Sequence, residues 1–263
     1  MSSRLTLSEA LARLPGRVDL ASVTAIGCTS TDDVYRLSLN GNDVVLRIAD
    51  RGVDWQAALA IQRHAADRGI APAVLLAAPD AGIAVTAYAP GRSLQRADMA
   101  DPATQQAVGH LLRVLHSGQS VGHTLDLVAA IRRYVSRCPA SVRQTAKRVA
   151  NDIAKRLSAA RPVQLVPCHN DPVADNFLAA GSLTLIDWEY AADNDPRFDL
   201  AVVSAHHDLD ASGRLRLLSA YAPDDVERLS HELENWEAIY RGIHLLWASA
   251  CSSNDLTNYC EVL

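Results

Sequence analysis

The chain has no surplus of positive charge. Its 263 residues include 25 Lys and Arg against 30 Asp and Glu, a formal net charge of -5 with a pI near 6.0. The arginines are scattered along the sequence, so there is no basic field to hold nucleic acid, and no such partner is expected. Long apolar runs are also missing. The opening MSSRLTLSEALARLPGRVDL lacks the continuous apolar core of a secretory signal, and no later segment approaches the length needed to span a bilayer. The expectation is a cytoplasmic protein with no membrane association. Five cysteines, Cys28, Cys138, Cys168, Cys251 and Cys260, are odd in number and lack the paired spacing of a zinc site or a dithiol motif. Free thiols in a reducing compartment follow. There is no internal repeat or low-complexity tract.

With 49% hydrophobic and 21% charged residues, the composition is that of an ordinary globular protein, long enough for one large domain or two lobes. Leu and Ala recur at helical spacing over 5–13. VYRLSL and DVVLRIA read as two strands joined at Asn40-Gly41-Asn42, which is a β-hairpin signal. A helix over about 54–68 stops at Gly69, with Pro72 beyond it, and AVLLAA and GIAVTAYA complete a small, mostly β unit. APGRSL, 89–94, follows as a hinge candidate. Helical periodicity then dominates at about 100–117, 124–136 and 141–160 and again from about 198.

The chemistry concentrates in 165–189, LVPCHNDPVADNFLAAGSLTLIDWE, where a strand delivers His169, Asp171 and Asn176 and a hairpin delivers Asp187 and Glu189. Phosphoryl transfer from ATP needs a carboxylate to orient and deprotonate the attacking hydroxyl, and oxygen donors to hold Mg²⁺ against the phosphates. Asn176 and Asp187 suit that hard cation, and Asp171 is left for the hydroxyl. Taken singly, each of these residues is better explained as a turn cap.

Together, HNDPVADNFL, LIDWEY and DNDPRFDLA resemble, in order and spacing, the aminoglycoside phosphotransferase and choline kinase superfamily, with its H-x-D-x-x-x-x-N loop and I-D-x-E metal motif. The resemblance implies an α+β, protein-kinase-like two-lobed fold. Residues 1–87 would form a small, mostly β, ATP-binding N-lobe, and residues 88–263 a larger, mostly helical C-lobe carrying catalysis and substrate binding. It implies ATP and Mg²⁺ as cofactors, Asp171 as catalytic base, Asn176 and Asp187 as metal ligands, and Glu189 as a supporting metal residue. His169 and Asp199 would brace the catalytic loop. Arg47 on VVLRI would touch the phosphates, Ser30 and Thr31 would lie in the phosphate-covering loop, and the backbone at Ala87 and Ala89 would meet adenine. Two departures stand out. The phosphate loop has a single glycine, Gly27, with Asp32 close by, where another negative charge is unhelpful. The N-lobe helix DWQAALAIQRHAADRG has no Glu to pair with the strand cation, which leaves Asp54 or Gln56 as substitutes, or no such pair.

The EYA after the metal motif resembles the choline, ethanolamine or thiamine kinase-like branch. Trp236, Tyr240 and Trp247 recur at steps of four and seven, on one helical face. With Tyr190 they could wall a cation site, although core packing explains such a stripe as well. The expected substrate is a small, cationic alcohol. The alternatives are an aminoglycoside phosphotransferase or a catalytically silent nucleotide- or metabolite-binding protein.

Overall fold

A computed structural model describes residues 4–28, 32–49 and 55–251. In chain order these form α1 (Leu7–Leu11), β1 (Val18–Cys28), β2 (Asp32–Leu39), β3 (Asn42–Ala49), α2 (Gln56–Asp67), β4 (Val74–Ala78), β5 (Ile83–Ala87) and β6 (Arg92–Ser93). They continue with α3 (Pro102–His116), α4 (Leu127–Arg137), α5 (Arg143–Ala159), β7 (Val166–Cys168), β8 (Phe177–Ala180), β9 (Ser182–Leu185), β10 (Ala192–Asn194), α6 (Pro196–His206), α7 (Ala211–Tyr221) and α8 (Val226–Cys251).

The chain packs as two compact units. The first joins Met1–Ser93 to Asn176–Ala191, and the second joins Leu94–Asp175 to Ala192–Leu263. A single cut at 87/88 would leave 176–191 with the second lobe. That stretch joins the first unit because β8 pairs with β6, and the Leu185 N–H donates to the Ile70 carbonyl at 2.8 Å.

In the first unit, five antiparallel strands run in the order β1-β2-β3-β5-β4. Asn40 (φ 53) and Gly41 (φ 80) both take left-handed backbone, the two-residue turn whose twist suits a hairpin. The turn sets the register of β2 on β3, pairing Leu39 with Asn42, Val34 with Arg47, and Asp32 with Ala49. Strand alternation then separates the two faces of the sheet. Val44, Leu46 and Ile48 pack with Leu37, Val85 and the α1 segment residues Leu5, Ala10 and Leu14. Ala49 and Ala84 face the other way and pack with Trp55 and Leu59 at the start of α2. Arg47 shares this second face. The short helix α1 is fixed by a capping box, in which Thr6 and Glu9 satisfy each other's backbone N–H.

In the second unit, helices carry their apolar stripes inward, with Val108, Leu112 and Leu115 of α3, Leu217 of α7, Val202 of α6 and Ile239 of α8 all buried. Gly109 lets α3 approach α7 closely, since a Cβ there would lie 2.5 Å from the Leu217 carbonyl oxygen. The two-stranded β7–β10 ladder pairs Cys168 with Ala192 and Val166 with Asn194. The DNDPRFDLA motif opens α6: Asp195 accepts from the Arg197 N–H and pairs with its guanidinium, which also bonds Glu232 of α8 at 2.8 Å. Among the described residues, no helix is long and apolar enough to cross a membrane.

Candidate active site

The first unit gathers charge around Arg47. Its Nη1 lies 3.2 Å from Asp187 Oδ1, its Nη2 donates to Glu189 Oε2 at 2.7 Å, and its Nε donates to Asp32 Oδ2. Burial opposes the Arg47 charge, but Asp187, Asp32 and Glu189 outweigh it and hold the pKa above the ordinary guanidinium value. The Glu189 pKa is raised too, but this disfavours its charge: burial first, then the Asp187 charge, push its carboxyl above the usual range against the pull of Arg47. Three carboxylates around one guanidinium leave net negative charge.

Asp187 has left-handed backbone (φ 61) at the entry of a 3-10 turn, Trp188–Tyr190. The turn is pinned by the buried Trp188, whose indole N–H donates to the Leu185 carbonyl at 3.0 Å. The Ile186 N–H donates to the Asn176 carbonyl at 2.9 Å, so Asn176 and Asp187 stand at the same open end of the β8–β9 hairpin. Asn176, Asp187 and Glu189 offer amide and carboxylate oxygens, the donor set Mg²⁺ prefers. The Ala87 N–H is engaged by the Ala73 carbonyl at 2.9 Å, which leaves only the carbonyl of Ala87 to meet a base. Ala89 follows β5 outside any strand. Tyr190 is exposed. Ser30, Thr31 and Asp54 lie outside the described residues.

The second unit builds the loop that carries Asp171. Fully buried Asp199, in the first turn of α6, accepts from the backbone N–H of His169 at 2.8 Å and of Asn170 at 2.7 Å. Asn170 is left-handed (φ 66), and its side-chain oxygen accepts from Asn194 at 2.8 Å. His116 of α3 reaches the same Asp199 carboxylate through Nε2 at 3.0 Å, while its Nδ1 lies 2.9 Å from the Tyr221 hydroxyl. On the other side of Asp171, His207 takes the Ala174 N–H on Nε2 at 3.0 Å. Its Nδ1 lies 2.7 Å from the Val203 carbonyl, which makes Nδ1 the protonated nitrogen. Burial holds the His207 pKa below its ordinary value, so this neutral tautomer persists. His169 is itself buried. The sequence reading missed His116 and His207. Each ends the apolar stripe of its helix, and a polar residue continuing a buried stripe was the available signal.

A wall of rings lies in the same unit. The Tyr240 hydroxyl is 2.7 Å from His206 Nδ1, and His244 stands against Tyr240 (5.7 Å between ring centroids) and stacks on Trp247 (5.6 Å). Burial, and after it the charge of Asp171, raise the Tyr240 phenol pKa. His206 is pushed down to about 4, chiefly by burial and then by His207 and His244, and burial lowers His244 too. These imidazoles are therefore uncharged at neutral pH. Trp247 is 41% exposed. Tyr240 is buried, with Phe198 edge-on at 6.3 Å, so it is a core residue rather than the expected open wall, and Trp236 packs on the same Phe198. Trp236 is 4% exposed, with Phe198 edge-on at 6.5 Å and the Arg197 guanidinium over its ring at 5.2 Å. The expected stripe thus divides: Trp236 and Tyr240 are buried against Phe198 of α6, while Trp247 further along α8 is exposed.

Residues 22–231 match the family model described as "Phosphotransferase enzyme family". The chain belongs to this phosphotransferase family. A thiamine kinase of Salmonella paratyphi B is 31% identical over 128 residues, covering 48% of this chain and 46% of that protein, so the match spans about half of the relative's length. Among solved structures, a choline/ethanolamine kinase family protein from Mesorhizobium loti superposes with a TM-score of 0.71 at 26% identity, covering 96% of this chain and 89% of that one. The choline kinase LicA from Streptococcus pneumoniae, also solved with AMP, superposes at 0.72 with 22% identity, covering 96% of this chain and 92% of its own. The phosphotransferase-family chain has the kinase-like α+β fold that its motifs implied, with a mostly β first unit and a mostly helical second one.

Proposed function

We propose that the chain is an ATP- and magnesium-dependent phosphotransferase that phosphorylates the hydroxyl of a small cationic metabolite of the choline, ethanolamine or thiamine type. The observation that carries this reading is the brace under Asp171: Asp199, His116 and His207 fix the loop backbone on both sides of it, a rigidity that a turn-capping aspartate does not need. Asp171 orients the substrate hydroxyl and accepts its proton. The oxygen forms a bond to the γ-phosphorus, the bond from that phosphorus to the bridging β,γ-oxygen breaks, and ADP departs with the electron pair. Asn176 and Asp187, with Glu189, would hold Mg²⁺, which supplies charge neutralisation for the phosphates when bound. Arg47 would meet the phosphates, and the Ala87 carbonyl and Ala89 backbone would meet adenine.

The rings support this substrate class. Uncharged His206 and His244 leave the exposed rings of His244 and Trp247, with buried Tyr240 behind them, aromatic rather than cationic, and Asp171 adds a negative charge near Tyr240. Such faces attract a quaternary or protonated amine by ~0.5–2 kcal/mol. Thiamine kinase and choline kinase, named among the relatives above, act on cationic alcohols. The test is a thermal-shift series with ATP and magnesium against choline, ethanolamine, thiamine and aminoglycosides. A melting-temperature rise with one cationic alcohol, and phosphate transfer to it, is expected. A response to aminoglycosides alone would contradict the substrate class.

A further inference from the structure

The strand cation of this chain is held by an unexpected partner. Among the described residues, α2 has no carboxylate before Asp67 at its last position, and the groups on Arg47 come instead from β2 and from the turn after β9. Asp32 sits on β2 two residues before Val34, the residue directly opposite Arg47. The alternation of side chains puts Asp32 and Arg47 on one face as a diagonal cross-strand pair. Its side chain is 3% exposed, against 44% for Asp187 and 25% for Glu189. A buried carboxylate is tolerated where a charged partner and hydrogen bonds compensate for lost water.

We propose that Asp32 is the positioning residue of Arg47, fixing the guanidinium through Nε so that Nη1 and Nη2 point toward Asp187 and Glu189, where phosphates and metal would be bound. This rests on the proposed ATP-dependent activity. Nε is the inner nitrogen of the guanidinium, and a bond to it fixes the plane of the whole group, leaving the terminal nitrogens as a two-pronged donor. Asp187 and Glu189 can exchange Arg47 for ligand because both are more exposed. Asp32, shut in beside the strand, keeps it. The negative charge that looked unhelpful beside a triphosphate is thus neutralised by Arg47 and orients the cation that meets it.

The test is a double-mutant cycle read as the dissociation constant for ATP with magnesium, measured calorimetrically on the full chain. Asp32→Asn is expected to weaken binding about tenfold, which is ~1.4 kcal/mol. Arg47→Gln should weaken it further, and Asp32→Asn should add almost nothing in the Arg47→Gln background, because its effect passes through the guanidinium. Equal losses in both backgrounds would overturn the inference and leave Asp32 a structural residue. If wild type binds no ATP, the proposed function fails and the inference fails with it; a wild type that binds but gives an additive cycle refutes the inference alone. Should Asp32→Asn not fold, the Arg47 Nε–H resonance of wild type decides: slow solvent exchange that persists on adding ATP is expected, and fast exchange in either state overturns the pairing.

Discussion

Asp187 and Glu189 are two residues apart, yet the first unit treats them differently. Glu189 is bound tightly to Arg47, whereas Asp187 is the more exposed carboxylate, at the longer 3.2 Å separation, on left-handed backbone that turns it out of the hairpin. A direct metal ligand contributes charge neutralisation, while a neighbour that mainly orients contributes less. Asp187→Asn, which tolerates that backbone better than alanine would, should therefore lower turnover by about 100-fold or more and raise the magnesium requirement, and Glu189→Gln should cost about tenfold. A magnesium titration of both variants checks this, and equal responses would contradict the assignment. The motif spacing made these two residues and Asp171 legible in the sequence. Asp32 is legible too: counting back from the Asn40-Gly41 turn sets Val34 opposite Arg47 and Asp32 on the same face. His116 and His207 were harder to see, since their partners, Asp199 and the Ala174 N–H, are 83 and 33 residues distant.

At the scale of elements, helices were the most readable parts, because their apolar stripes record burial directly. The periodicity over 100–117, 124–136 and 141–160 anticipates α3, α4 and α5 to within three residues at each end. β1 escaped notice because its residues are mostly exposed or half-buried and its pairing with β2 shifts register twice, which blurs the alternation. β8, four residues long, is too short to show an alternation of its own. The helix α8 shows what periodicity leaves open: a stripe identifies one face, but which turns of that face are covered depends on α6. Trp236→Ala should therefore cost about 3–5 kcal/mol of stability by emptying a packed site. Trp247→Ala should barely move the melting temperature while raising the substrate KM several-fold and leaving that for ATP unchanged. Parallel thermal melts and steady-state kinetics separate the two. A Trp247→Ala protein that melts early with normal KM would place Trp247 in the core as well.

For the whole molecule, the family match across residues 22–231 and the kinase-like superposition cover far more of the chain than the residues that carry chemistry. What makes the fold a candidate enzyme is a short set of side chains, held in each unit by partners that cost stability to bury and gain little unless the loop must be rigid. The proposed activity depends on Asp171. The most direct measurement is transfer of labelled γ-phosphate from ATP, in magnesium, to the cationic alcohol that shifts the melting temperature most, compared between wild type and Asp171→Asn. The expected result is loss of transfer by on the order of 10²–10⁴ with ATP affinity within a few-fold of wild type. Near-normal transfer by Asp171→Asn would contradict the account.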